Sequence, residues 1–231
     1  MQKILLNATL ALVLAASGFA ASANETIRKM VETRFGAQVE KVTPTQYLGL
    51  YEVLANGQIL YTDEKATAFF VGNIYDAKSG SNITGKRLIA NLPLDLAVKV
   101  VRGNGKATLI TFEDPNCGYC KRLVKDVLNI KDVTVYTFLM PVLGEDSVSK
   151  SKAIWCAADR TKSWTDWMVS GVKPAEPKKD CAAPIEKLLA LGESFQVRGT
   201  PTILFSDGSK SPGYMPQADI EKKLAEIAKR S

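Results

Sequence analysis

Ile27, Met30, Val31 and Phe35 recur at helical spacing, and Gly36 ends the run, so the pattern predicts a short amphipathic helix over 25–35. Beyond it the period changes. Tyr47–Leu54 and Gln58–Thr62 are apolar, aromatic runs on either side of Asn56-Gly57, a dipeptide suited to the backbone of a tight hairpin turn, and Ala68–Tyr75 supplies further strand material. One helix and a few strands make a thin core with exposed sheet edges, which a second copy of the chain or the unit's own helix can cover. Arg87–Arg102 is apolar and helical in places and is broken by Pro93, so 87–105 is read as a linker between two units. Strands then alternate with helices: a strand over 107–112, a helix over 121–130, a strand over 133–139, helical segments, a strand over 202–205 and a last helix over 218–229. That alternation predicts an α/β layer structure, and no internal repeat or low-complexity tract interrupts it.

The first residues add a compartment. Lys3 precedes an apolar run through Leu14, and small residues continue to Ala21-Ser22-Ala23, the pattern of a secretory signal peptide over 1–23 with cleavage before Asn24. Asn7 and Thr9 interrupt an apolar run already too short to span a membrane, so no membrane insertion of the mature chain is expected. Export places the protein where disulfides persist. The formal net charge of +6 is spread through helical patterns and mixed with Asp and Glu, without dense runs or aromatic interleaving, so nucleic acid is not an expected partner. The chain has no histidine, which excludes Ser-His-Asp and Cys-His hydrolases and most catalytic zinc sites.

Cys117-Gly118-Tyr119-Cys120 stands where the strand over 107–112 hands over to the following helix. A cysteine on the first turn of a helix faces unpaired backbone N–H groups and the positive end of the helix dipole, both of which favour the thiolate. Cys117 is therefore the expected nucleophile. Cys120, one turn along the same face, can attack the bond that Cys117 has formed and release its partner. Lys121, Arg122 and Lys125 add positive charge nearby, whereas Glu113 and Asp114 oppose it. Half of a zinc site would need a second closely spaced ligand pair, and Cys156 and Cys181 stand far apart, so neither metal nor cofactor is expected. Those two cysteines flank a polar segment containing Pro174 and Pro177 and read as a structural disulfide rather than a second redox pair.

With the CGYC tetrapeptide after one strand and Gly199-Thr200-Pro201-Thr202 before a later one, the C-terminal part resembles a thioredoxin fold, and the chain as a whole resembles the bacterial periplasmic DsbC/DsbG disulfide isomerase family. The resemblance implies an α+β N-terminal dimerisation domain over 24–86, a linker helix over 87–105 and an α/β thioredoxin-like catalytic domain over 106–231. It implies that Cys117 and Cys120 are catalytic, that Tyr119, Thr200 and Pro201 line the substrate site, with Pro201 in the cis form, and that Cys156 pairs with Cys181. It further implies a periplasmic homodimer, misoxidised exported proteins as substrates, and a DsbD-type membrane thiol reductase as electron donor. Where thioredoxins carry a buried aspartate six residues before the first motif cysteine, this chain has Thr111, so a carboxylate at that position is missing. Two rival readings remain: a DsbG-like reductase of sulfenylated cysteines, and a dimeric holdase in which the cysteines are incidental.

Overall fold

A computed structural model describes residues 23–177 and 181–230, and all of the signal-peptide segment except Ala23 lies outside them. The chain divides into two compact units between Gly72 and Asn73. In the first, helix α1 (23–35) is followed by an antiparallel sheet of β1 (Val39–Pro44), β2 (Tyr51–Ala55), β3 (Gln58–Thr62) and β4 (Phe69–Phe70), in that order. Asn56 and Gly57 turn the β2–β3 hairpin with φ of 49° and 70°, the left-handed region that this dipeptide tolerates. Ile27 and Val31 from α1 are buried with Val39, Val53 and Ala55 from the sheet. Strand β1 escapes a reading by alternation because its register shifts between Val39 and Lys41, so its apolar residues do not keep to a period of two. The strand expected over 68–75 shortens to Phe69–Phe70, because the chain leaves the sheet at Gly72.

The second unit opens with residues 73–90. Asn82 caps helix α2 (Ile83–Ala90), its side chain accepting from Gly85 N at 2.8 Å, and Asn82 N donates to Asp207 O at 3.2 Å. Gly85 lies so close to Gly208 that a Cβ on it would stand 2.2 Å from the Gly208 carbonyl oxygen, which only glycine permits. The linker helix expected over 87–105 is helical only in part. The segment comprises the end of α2, a 3-10 turn at Leu94–Leu96 after Pro93, and strand β5 (Val98–Val101), whose β-branched run pairs antiparallel with β7.

Strands β5, β6 (Ala107–Glu113), β7 (Val133–Leu139), β8 (Thr202–Phe205) and β9 (Lys210–Pro212) form one sheet in the order β5-β7-β6-β8-β9, with β6 and β7 parallel and the other pairs antiparallel. Helix α3 (Gly118–Val127) makes the parallel crossover between β6 and β7. Helices α4 (Glu145–Trp155), α5 (Arg160–Thr165) and α6 (Ile185–Ser194) lie between β7 and β8 in the chain, and α7 (Gln217–Arg230) follows β9. Two buried clusters flank the sheet, one holding Ile110, Phe112, Phe138, Trp164 and Leu188, the other Leu109, Leu123, Val135, Ile203 and Ile220. Because Leu109 and Ile110 are consecutive and belong to different clusters, β6 is buried on both faces, and its C-terminal end delivers the chain to the cysteine motif from a fixed base.

Cys156, at the end of α4, forms a disulfide with Cys181 across a sequence separation of 25. On the loop-entropy relation this bridge contributes roughly 3.5 kcal/mol. Replacing both cysteines with alanine is expected to lower the denaturation midpoint accordingly, as read by urea unfolding. An unchanged midpoint would show that the loop is held by other contacts.

Candidate active site

Strand β6 ends at Glu113, and Asp114 makes the turn that follows. Its fully buried carboxylate accepts from Asn116 N at 2.7 Å, Ser147 Oγ at 2.8 Å, Val142 N at 2.8 Å and Leu143 N at 3.0 Å. One side chain thereby ties the start of the motif to the loop after β7 and to α4. The π-helical turn Asp166–Ser170 presents Trp167, whose Nε1 donates to Pro115 O at 2.6 Å, while the ammonium groups of Lys121 and Lys150 stand 4.1 and 4.7 Å from its ring centre. Two of the three cations weighed from sequence are thus already engaged: Lys121 on Trp167, Arg122 on Tyr214 at 4.6 Å. In the sequence Asp114 read only as an acidic charge in the turn-forming run Asp-Pro-Asn, and nothing singled out Trp167.

Cys117 is the N-cap of α3, and its Sγ accepts from Cys120 N at 3.3 Å. It also lies 3.4 Å from Thr200 O, to which the thiol can donate. The Thr200-Pro201 peptide is cis, and Thr200 meets Cys117 across 83 positions in the chain. Tyr119 projects outward, 64% exposed, with its ring 6.3 Å from that of Tyr214. Val142 and Leu143 are also exposed, so the surface near the motif is partly apolar.

The two motif cysteines, both free thiols, differ in their surroundings. Cys120 is fully buried, and burial, the neighbouring Glu113 charge and Cys117 together push its thiol far above the usual cysteine range. Thr111 supplies no carboxylate, but Glu113, two residues on, places a buried one near Cys120. A strand period of two puts both residues on one face of β6, and Thr111 Oγ1 donates to Glu113 Oε1 at 2.7 Å while lying 2.9 Å from Thr137 Oγ1. Glu113 is 1% exposed, and its Oε2 has no hydrogen-bond partner among the described residues. Burial raises its carboxyl to about 8, against hydrogen bonds from Thr111 and Thr137 that favour the ionised form. The arrangement places a group able to exchange a proton near neutral pH in electrostatic contact with the thiol that most needs one.

Comparison with known proteins bears on this geometry. A thioredoxin-like domain family matches residues 94–228, and the N-terminal domain of disulfide bond isomerase proteins matches residues 18–85. The probable thiol:disulfide interchange protein DsbC of Bordetella parapertussis is 43% identical over 208 residues, covering 87% of this chain and 74% of the relative. The chain belongs to the DsbC family. The thiol:disulfide interchange protein DsbC of Escherichia coli is 32% identical over 227 residues, with 94% of both chains covered. The crystal structure of a disulfide interchange protein from Neisseria gonorrhoeae is 42% identical and superposes with a TM-score of 0.56 over 58% of this chain and 97% of that one. As a DsbC family member the chain is a thiol:disulfide interchange enzyme, with the family's N-terminal domain ahead of a thioredoxin-like fold.

Proposed function

We propose that the protein is a periplasmic, homodimeric isomerase of incorrect disulfides in exported proteins, with Cys117 as nucleophile and Cys120 as resolving thiol. The observation that carries the assignment is the inequality of the thiols: Cys117 caps α3 beside Thr200, whereas Cys120 is buried with its ionisation opposed by Glu113. Cys117 thiolate attacks one sulfur of a substrate disulfide, the S–S bond breaks, and the other sulfur leaves as a thiolate. A substrate thiolate can then displace Cys117, which rearranges the substrate without net electron transfer. Alternatively Cys120 passes its proton to Glu113 and attacks Cys117 Sγ, which releases reduced substrate and leaves a Cys117–Cys120 disulfide. That second outcome consumes two electrons, which an external dithiol reductant of the DsbD type must return. Thr200, Pro201 and Tyr119 border the nucleophile and are assigned to holding the substrate segment.

The dimer reading is supported by the N-terminal unit, in which β1 and β4 each pair on one side only and Leu48, Phe70 and Val71 are exposed. The periplasmic reading is supported by the 1–23 pattern and the DsbC relatives, and among the described residues no helix is long and apolar enough to cross a membrane. The deciding experiment is recovery of activity from a scrambled multi-disulfide protein in a mildly reducing glutathione buffer, with the mass of the full chain measured in solution. Catalysed recovery by a dimer is the expected result. Reduction of simple disulfides without recovery would favour the sulfenic-acid reductase, and retained anti-aggregation activity without a reactive Cys117 would favour the holdase.

A further inference from the structure

A cavity of about 440 Å³ opens beside Thr200 and Pro201, between the loop after α6 and strand β9, and its lining includes Arg198, Lys210, Pro212 and Gly213. Among the described residues, no acidic side chain lines it. Lys210 Nζ donates to the carbonyls of Phe195 at 3.0 Å and Gln196 at 3.3 Å, which fixes the ammonium at the C-terminal end of α6 instead of leaving it free in solvent. Arg198 is exposed and makes no ion pair or hydrogen bond with any described residue, Glu193 at the end of α6 included. The two cations are close enough to act on each other: burial first, then the Arg198 charge, holds the Lys210 ammonium below its ordinary range. The carbonyls at the end of α6 offset the Lys210 charge only in part, no carboxylate among the described residues pairs with either cation, and an anion binding beside both would relieve their repulsion.

Position decides what that anion belongs to. Thr200 lines the cavity and its carbonyl oxygen lies 3.4 Å from Cys117 Sγ, so the cavity, which Cys117 itself does not line, begins one residue away from the nucleophile. The rest of the lining is uncharged, glycine and proline together with Gln196, Thr200 and Thr202, which suits an extended segment and leaves Arg198 and Lys210 as its only charges among the described residues. We propose that the Arg198–Lys210 cavity is a specificity subsite for an acidic side chain, aspartate or glutamate, lying within a few residues of the substrate cysteine that Cys117 attacks. The subsite rests on the reading of Cys117 as nucleophile.

The test uses the full chain and extended peptides whose single cysteine is disulfide-linked to a chromogenic aryl thiol. Cys117 attacks the peptide sulfur, a Cys117–peptide disulfide forms, and the aryl thiolate leaves and is counted. Peptides with aspartates flanking the cysteine are compared with the same peptides carrying asparagines. A preference of roughly five- to tenfold for the acidic peptide at low salt is expected in the second-order rate constant of aryl thiolate release from the pre-reduced enzyme, read over a single turnover, shrinking at high salt. Because the readout is a ratio measured on one enzyme, a general loss of activity in a variant does not mimic it. Arg198→Gln should reduce the ratio, Arg198→Gln with Lys210→Gln should bring it to about one, and Arg198→Glu should turn it toward lysine-flanked peptides. A ratio of one in the native chain, a preference set by the free α-carboxylate instead of the side chains, or a ratio unchanged in the double variant would overturn the subsite. Absence of aryl thiolate release from every peptide would instead overturn the assignment of Cys117.

Discussion

Serine at position 117 is expected to lower disulfide exchange by on the order of a thousandfold or more, with the fold unchanged. The expectation follows from what the substitution keeps. Cys117 caps α3 by accepting from Cys120 N, and serine is among the best residues for that position, so the helix start and the turn organised by Asp114 remain. What is lost is the sulfur nucleophile, since a hydroxyl is not ionised at neutral pH and does not attack disulfides. Serine at position 120 should behave differently. The first attack proceeds, resolution by Cys120 does not, and a covalent Cys117–substrate adduct accumulates that mass spectrometry detects. Adduct formation on Cys120 in the Cys117→Ser variant would reverse the assignment of the two thiols.

How far the site could be read from sequence depends on the range of the signal. The motif is local: Cys117 follows a strand-like run and opens a helix, so its place at an N-cap was legible from neighbours alone. The meeting of Cys117 with Thr200 is not local, and no periodicity in this chain points to it; only resemblance to a known family did. Glu113 illustrates a third case. Its position two residues after Thr111 on a strand buried on both faces implies a buried carboxyl, but the sequence presents it beside Asp114 as one of two acids in a turn. Burial of β6 on both faces, which depends on helices far away in the chain, separates them: Asp114 is satisfied by four donors, whereas Glu113 keeps one oxygen without a partner among the described residues. In the fold, β1 was hidden by its bulge and β5 by the helical look of the run before it. Both are strands whose evidence lies in their partners, β2 and β7.

Glu113→Gln is expected to slow the resolving step by roughly ten- to a hundredfold and to remove its pH dependence near 8, while leaving isomerisation by a substrate thiol intact. Cys120 holds its proton tightly because it is buried beside Glu113 and Cys117, so its attack on the mixed disulfide needs a base. Glu113, raised by burial to about 8, becomes able to accept that proton as pH rises through this value, and the resolution rate should rise with it. Glutamine keeps the shape and can still accept from Thr111, but it takes no proton. The groups facing Glu113 are Thr111 on its own strand, Thr137 from β7 and Cys120 from α3, and Cys120 is the one among them that also titrates. Stability gives an independent readout of opposite sign. A carboxyl with a folded value near 8 and an ordinary value near 4.5 binds more protons folded than unfolded between these pH values, so its contribution falls as pH rises from about 4.5 to 8 and is constant above. The variant lacks this loss, and above pH 8 it should be the more stable protein, by at most about 5 kcal/mol. Urea denaturation at pH 5 and pH 9 measures that difference, and single-turnover decay of the mixed disulfide measures the rate. A rate profile that glutamine leaves unchanged would exclude Glu113 as the proton acceptor even if the stability difference appears, because burial alone produces the second effect and only proton transfer produces the first.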